Sequence, residues 1–196
     1  FLSIPASIAL ILASEQIISA LFGYGSFTED GVKNSAKALF YFSLGLPAFA
    51  LIKVFSSFFF ARHNTKIPFY ISLISVILNI SISIFYFKSL GFIIIPIATS
   101  ISSWFNALLL FIFLRKKNLF RFNSIFLKKF IRILIAALFM GVFFYYLIDF
   151  FNDYLVYNYN LKSIYLIGIV ILGLIFYLLF ATLIKAFKIS DIKLKY

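Results

Sequence analysis

Six long apolar runs dominate the chain, at residues 1–22, 35–61, 68–87, 92–114, 130–150 and 164–187. None alternates apolar and polar residues with the period of two that a barrel strand requires. Each approaches or exceeds the roughly 20 residues that a helix needs to cross a hydrocarbon core. The breaks between them carry helix punctuation. Gly23-Tyr24-Gly25-Ser26 closes the first run, and Thr28 followed by Glu29 and Asp30 predicts an N-cap with acids in the first turn of the next helix. Asn64 or Thr65 can cap the third helix, with Pro68 tolerated in its first turn. The pattern predicts an all-α fold, a polytopic transmembrane helical bundle of about six spans.

Composition agrees. The chain is 64% hydrophobic and 12% charged, with a mean hydropathy of +1.09, outside the range of soluble domains. Residue 1 is Phe and the first apolar run begins at once, so the chain reads as a C-terminal piece of a longer protein. There is no cysteine and one histidine, His63, which excludes disulfides, thiolate metal sites and a multi-histidine metal site within this chain.

The net charge of +12 would suit nucleic acid or anionic lipid, but its placement points to topology instead. Arg62 and Lys66, then Arg115, Lys116, Lys117, Arg121, Lys128, Lys129 and Arg132, then Lys185, Lys188, Lys193 and Lys195 fall on one side of the predicted spans. Together they make 13 of the 18 basic residues. Lys33, Lys37, Lys88 and Lys162 fall on the other side, with Glu29, Asp30, Asp149 and Asp153 beside them. The excess of positive charge predicts that the first side, and the C-terminus with it, is cytoplasmic.

One lysine fits neither group. Lys53 lies deep in the apolar stretch 38–61 with no other charge in that stretch, nine residues before Arg62. At ~1.5 Å of rise per residue it sits about 13 Å from that helix end, near the middle of a core about 30 Å thick. A lysine there costs roughly 2.5–3.5 kcal/mol on insertion scales, so it is expected to face a cavity or a partner. Snorkelling is the alternative, but a four-carbon stem covers only about half the distance. Pro47, six residues earlier, frees the carbonyl of Ser43 and is expected to kink this helix. Five of the six acids fall at membrane edges or in loops; Glu15, about two turns before the end of the first run, is the exception, read as interfacial, as a pathway carboxylate or as a partner of Lys53.

Enzyme signatures are missing: paired pocket acids, a Ser-His-Asp set, a phosphate loop and a metal-ligand cluster. Polar stripes are present. Ser72, Ser75, Asn79 and Ser83 share one helix face, and Thr99, Ser102 or Ser103, and Asn106 share another. Such stripes pack membrane helices together or, with a carbonyl freed at Phe92 by Pro96, offer oxygens to a hard cation. Residues 115–129 form a basic segment, either a loop or a short interfacial helix in which Leu119, Phe120, Phe122, Ile125, Phe126 and Leu127 alternate with basic residues.

The stretch GYGSFTEDGVKNSAKALFYFSLGLPAFALIKVFSSFFFARHNTKIPF, residues 23–69, resembles the MurJ (MviN) family of lipid II flippases. The GSFT turn, the LGLPAFALIKV core and the FFARHNTKIP loop carry the likeness, and PIATSISSWFNALLL at 96–110 is similar to the family's twelfth helix. The likeness is specific over residues 1–115 and loose beyond. It implies the C-terminal part of a two-lobe transporter of the MOP superfamily. Residues 1–114 would be four helices of the C-terminal lobe, 115–129 a basic cytoplasmic loop, and 130–196 the final helix pair and cytoplasmic tail.

The implied function is not enzymatic. It is the flipping of undecaprenyl-pyrophosphate-linked peptidoglycan precursor, lipid II, across the bacterial inner membrane by alternating access. The partners implied are lipid II, membrane lipids and the missing N-terminal helices. A flippase for another polyprenyl-linked polysaccharide, or a scaffold for cell-wall synthesis, are the alternatives. Lys53 falls on the family's lysine in the LIKV segment, which implies a place in a cationic substrate cavity, with Pro47 and Asn79 as further cavity candidates. No organic cofactor is implied. Sodium is left open, because Asn79 and Thr99 match the family's sodium pattern while Ser83 stands where the pattern has Asp. Phe139, Phe143, Phe144 and Phe176 are candidates to line a groove for the lipid tail.

Overall fold

The structure is a computed structural model and describes residues 1–117 and 124–186. Every regular element among them is helical. In chain order these are α1 (Ser3–Leu12), α2 (Ser14–Phe22), α3 (Glu29–Phe60), α4 (Lys66–Leu90), a single 3₁₀ turn (Gly91–Ile93), α5 (Ile94–Lys116), α6 (Ser124–Phe150), α7 (Asn152–Leu155) and α8 (Lys162–Leu183). The helix-ending signals work as expected. Thr28 Oγ1 accepts the Gly31 N–H at 3.2 Å and opens α3. Asn64, rather than Thr65, caps α4, its Oδ1 accepting the Ile67 N–H at 3.3 Å. His63 takes the left-handed conformation at φ 55° to close α3. The Asn64 N–H then reaches Phe59 O and the His63 N–H reaches Phe60 O, a Schellman motif with a non-glycine at its turning point.

The helices α3, α6 and α8 are each long and apolar enough to cross a membrane, as is the stretch Lys66–Lys116 that holds α4 and α5. The last is two crossings. Asn79 hydrogen-bonds Thr99 across it, whereas 20 residues of straight helix would hold them about 30 Å apart. Gly91, at φ 61°, turns the chain there, in a conformation that L side chains rarely adopt. The first run is not the uninterrupted span expected from its hydropathy. It breaks at Ala13 into α1 and α2, bent by 78°. No proline or glycine marks the break. Ala13 is fully buried, and the polar sequence Ser14-Glu15-Gln16 starts the new helix.

The chain divides into two compact units, Phe1–Ala36 with Phe122–Tyr196, and Lys37–Arg121. This grouping places α1 and α2 with α6–α8. In the first unit the core joins Ala13, Ala20, Ala136, Ala137, Met140, Phe144 and Tyr177. Its alanines let the backbones of membrane helices approach. Buried Tyr177 donates its O–H to Phe1 O at 2.9 Å. In the second unit Phe55, Phe59, Ile71, Leu110 and Leu114 pack α3, α4 and α5 together. Gly45 is the close-approach point there, since a Cβ on it would come within 2.9 Å of Ser100 Oγ and 3.2 Å of its Cα.

Large apolar side chains such as Phe85, Ile84, Ile164 and Leu183 stand exposed. That is the surface of a membrane protein, where lipid tails replace a protein partner.

Two expectations change at the ends of helices. The helix α6 begins at Ser124, six residues before the predicted span, so Lys128 and Lys129 lie within it and not in a separate loop. The Leu119, Phe120 and Phe122 positions, the Ile125 side chain, Arg121 and the tail lysines Lys188, Lys193 and Lys195 lie outside the described residues. Pro96 does not unwind the middle of a helix. It sits in the first turn of α5, where backbone N–H groups have no intrahelical partner to lose.

Candidate functional site

The local sequence that builds the Lys53 site is one long helix. The helix α3 runs continuously through Pro47. Proline removes the N–H that would reach Ser43 O. Side chains take up polar groups around this point: Ser43 Oγ donates to Leu39 O at 2.6 Å. From α5, Ser100 Oγ donates to Tyr41 O and Trp104 Nε1 donates to Leu44 O at 3.0 Å. Hydroxyl and indole donors from a neighbouring helix are the usual means of holding a proline-containing membrane helix. Two turns beyond, Lys53 is exposed. Among the described residues no hydrogen bond or ion pair reaches it. Glu15 is exposed in the first turn of α2 and borders a polar cavity.

The polar stripes of α4 and α5 meet. Asn79 Nδ2 donates to Thr99 Oγ1 at 3.1 Å and to Ser102 Oγ at 3.2 Å, so Ser102, and not Ser103, belongs to this cluster. Ser103 and Ser75 donate instead within their own helices, to Ser100 O and Ile71 O. Ser83 is half-buried on the same helix as Asn79. Asn106 is buried one turn below Ser103, and its Oδ1 has no hydrogen-bond partner.

A residue that sequence reasoning missed is Lys162. Hydropathy places it as one more lysine at a membrane edge, yet it is 1% exposed. Its ammonium donates to Gly23 O at 2.7 Å and Tyr157 O at 2.6 Å. It lies 4.4 Å from the Tyr24 ring centre and 4.7 Å from that of Tyr157. Two carbonyls and two aromatic faces thus solvate a buried cation without a carboxylate. Around it Ser163 Oγ donates to Ala20 O, Tyr24 and Ser163 share a 2.7 Å hydrogen bond, and Tyr157 O–H donates to Phe27 O. The end of α2, the start of α8 and the connection before it are therefore pinned at one point. The sequence signal was the tyrosine at each side of the turn, Tyr24 between two glycines and Tyr157 five residues before the lysine.

An apolar groove of about 260 Å³ runs between α1, α6 and α8, bordered by Leu2, Pro5, Ala6, Met140, Phe144 and Tyr177. Of the four phenylalanines proposed for such a groove, Phe144 borders it. Phe143 stacks on Phe176 at 4.3 Å, and Phe139 lies against Phe180 at 4.9 Å.

The sequence profile of the family described as "Lipid II flippase MurJ" matches residues 1–167 of the chain. The chain belongs to the MurJ family. It is 35% identical over 192 residues to a protein of Thermotoga maritima described as "Probable lipid II flippase MurJ", a match covering 98% of this chain and 37% of that protein. A protein of Rickettsia prowazekii with the same description is 31% identical over 185 residues, covering 94% of this chain and 36% of its own length. The solved structure titled "Lipid II flippase MurJ, inward closed conformation" superposes with a TM-score of 0.77 at 25% identity, over 93% of this chain and 36% of the other. The chain therefore spans little more than a third of its MurJ relatives.

Proposed function

We propose that the protein carrying this chain flips lipid II across the bacterial inner membrane by alternating access, and that this segment supplies α1–α5 of its C-terminal lobe and the final pair α6 and α8. The family match over residues 1–167, on a fold with a TM-score of 0.77 to a lipid II flippase, carries this reading. Lys53, an exposed cation with no other charge among residues 38–60 of its helix, adds the chemistry: it contributes positive potential that draws the pyrophosphate into the substrate cavity. Pro47 adapts that helix to a changing shape. The membrane potential supplies drive for moving the charged headgroup, at ~2.3 kcal/mol per charge per 100 mV. The apolar groove beside Phe144 is suited to a polyprenyl chain. The basic ends of the spans orient α3 with Arg62 in the cytoplasm, and the C-terminus with it.

The Asn79 cluster serves first as interhelical packing. Both of its amide hydrogens are engaged by Thr99 and Ser102. Only Oδ1 and hydroxyl oxygens then remain for sodium, and Ser83 brings no charge where the family pattern has an acid. The test is complementation. The full-length protein restores growth to a bacterium depleted of its own lipid II flippase. Failure to do so, with the protein inserted at normal level, favours a flippase for another polyprenyl-linked polysaccharide or a scaffold.

A further inference from the structure

Tryptophans of membrane helices gather at the two membrane–water interfaces. Trp104 does not. It lies in the middle of α5, about 15 Å from the start of that helix. At this depth water is absent and an indole N–H needs a protein partner. Its partner is Leu44 O of α3, at 3.0 Å. Leu44 lies three residues before Pro47, in the turn that the proline ring loosens. Ser100 Oγ donates to Tyr41 O one turn earlier. Ser100 and Trp104 are four residues apart and share a face of α5, and Tyr41 and Leu44, three apart, share a face of α3. Two donors on one helix thus meet two carbonyls on the other, at the turn where proline has removed an intrahelical hydrogen bond. Gly45 lets the backbones close on each other there, since a Cβ on it would stand 3.2 Å from Ser100 Cα.

Beyond the proline α3 meets α5 through apolar side chains. Phe55 lies against Phe111 with ring centres 5.9 Å apart, and Phe59 packs with Leu110 and Leu114. Apolar contact is non-directional, so it fixes the separation of the helices better than the rotation of α3 about its own axis. The polar clasp before Pro47 supplies the direction. Lys53 follows Pro47 by six residues, and its ammonium points wherever that rotation sends it. We propose that Trp104, together with Ser100, is a positioning residue for Lys53: the clasp closes the proline turn in one geometry and so aims the cation. Its consequence for transport rests on the reading of Lys53 as a substrate-cavity residue; its consequence for the aim of position 53 does not.

The test uses two variants of the full-length protein. Trp104→Phe keeps an aromatic ring and removes the donor. Ser100→Ala removes the hydroxyl and leaves a good helix former. The first readout is independent of transport. Lys53→Cys is placed in full-length protein freed of other cysteines, and its rate of reaction with a water-soluble methanethiosulfonate is measured in nanodiscs. Trp104→Phe is expected to change that rate at least about threefold, the size of an average interhelical hydrogen bond in a membrane, and Ser100→Ala to change it in the same direction. The second readout is lipid II translocation in cells depleted of their own flippase. Trp104→Phe is expected to lower it about threefold in the native background and to add nothing in a Lys53→Met background, because residues that act through one another are not additive. An unchanged labelling rate in both variants overturns the proposal. So does a transport loss of equal size with and without Lys53, which is what a merely structural role gives. A shifted labelling rate with full transport by Lys53→Met supports the positioning and overturns the substrate reading of Lys53 instead.

Discussion

Replacing Lys162 by Met tests how the ends of α2 and α8 are held together. The substitution keeps most of the apolar stem and removes the ammonium. Gly23 O and Tyr157 O then lose their donor inside a site that is 1% exposed at the lysine. Hydrogen bonds from a charged donor contribute about 1.5–3 kcal/mol each, and two partly desolvated aromatic faces add about 0.5–2 kcal/mol. Against this stands the desolvation of an ammonium with no counter-charge, several kcal/mol in a protein interior. The difference is a net loss of about 2–3 kcal/mol in the stability of this junction. Since ~1.4 kcal/mol is a factor of ten, local opening becomes roughly 30- to 150-fold more frequent. Hydrogen–deuterium exchange by mass spectrometry on the full-length protein reads this directly, in peptides covering residues 20–28 and 156–163. Faster exchange confined to those peptides is the expected result. Unchanged exchange in Lys162→Met would refute the reasoning, because the carbonyls would then have no need of the cation.

Other sites give smaller, signed effects. Gly45→Ala places a Cβ 2.9 Å from Ser100 Oγ and 3.2 Å from its Cα, and overpacking of this kind lowers stability by about 1–3 kcal/mol. Thermal unfolding of the detergent-solubilised protein should show a lower Tm. His63→Gly relieves a left-handed residue at the end of α3, and its Tm is expected to rise by the equivalent of about 1 kcal/mol. Asn79→Ala removes both side-chain links from α4 to α5. Interhelical hydrogen bonds in membranes average ~0.6 kcal/mol, so a loss near 1 kcal/mol is expected, read as a modest fall in Tm.

Hydropathy located the helices because lipid exposure demands long uncharged runs, and the caps at Thr28 and Asn64 were legible because few residue types can satisfy helix ends. The bend at Ala13 was not legible. It depends on how a small residue packs against α6 and α8, and no proline or glycine announces it. Lys162 was read as an edge lysine because its burial is created by Gly23, Tyr24 and Tyr157, which come from separate parts of the chain. The meeting of Asn79 with Thr99 was anticipated only through the family's pattern. The turn at Gly91 that brings them together has a local signal, but the spacing alone does not show which hydroxyls of α5 face α4. Lys53 was conspicuous from its cost alone, and the structure leaves it exposed, with no hydrogen bond or ion pair among the described residues.

The most direct test of the functional account is the charge at Lys53. Full-length protein bearing Lys53→Met, Lys53→Arg or the native residue is expressed in cells depleted of their own flippase, and lipid II reaching the outer leaflet is quantified. The account predicts that Lys53→Met lowers translocation at least tenfold, about 1.4 kcal/mol of lost substrate stabilisation, at unchanged protein level. Lys53→Arg retains most of the activity. Full translocation by Lys53→Met would contradict the placement of this cation in the substrate pathway.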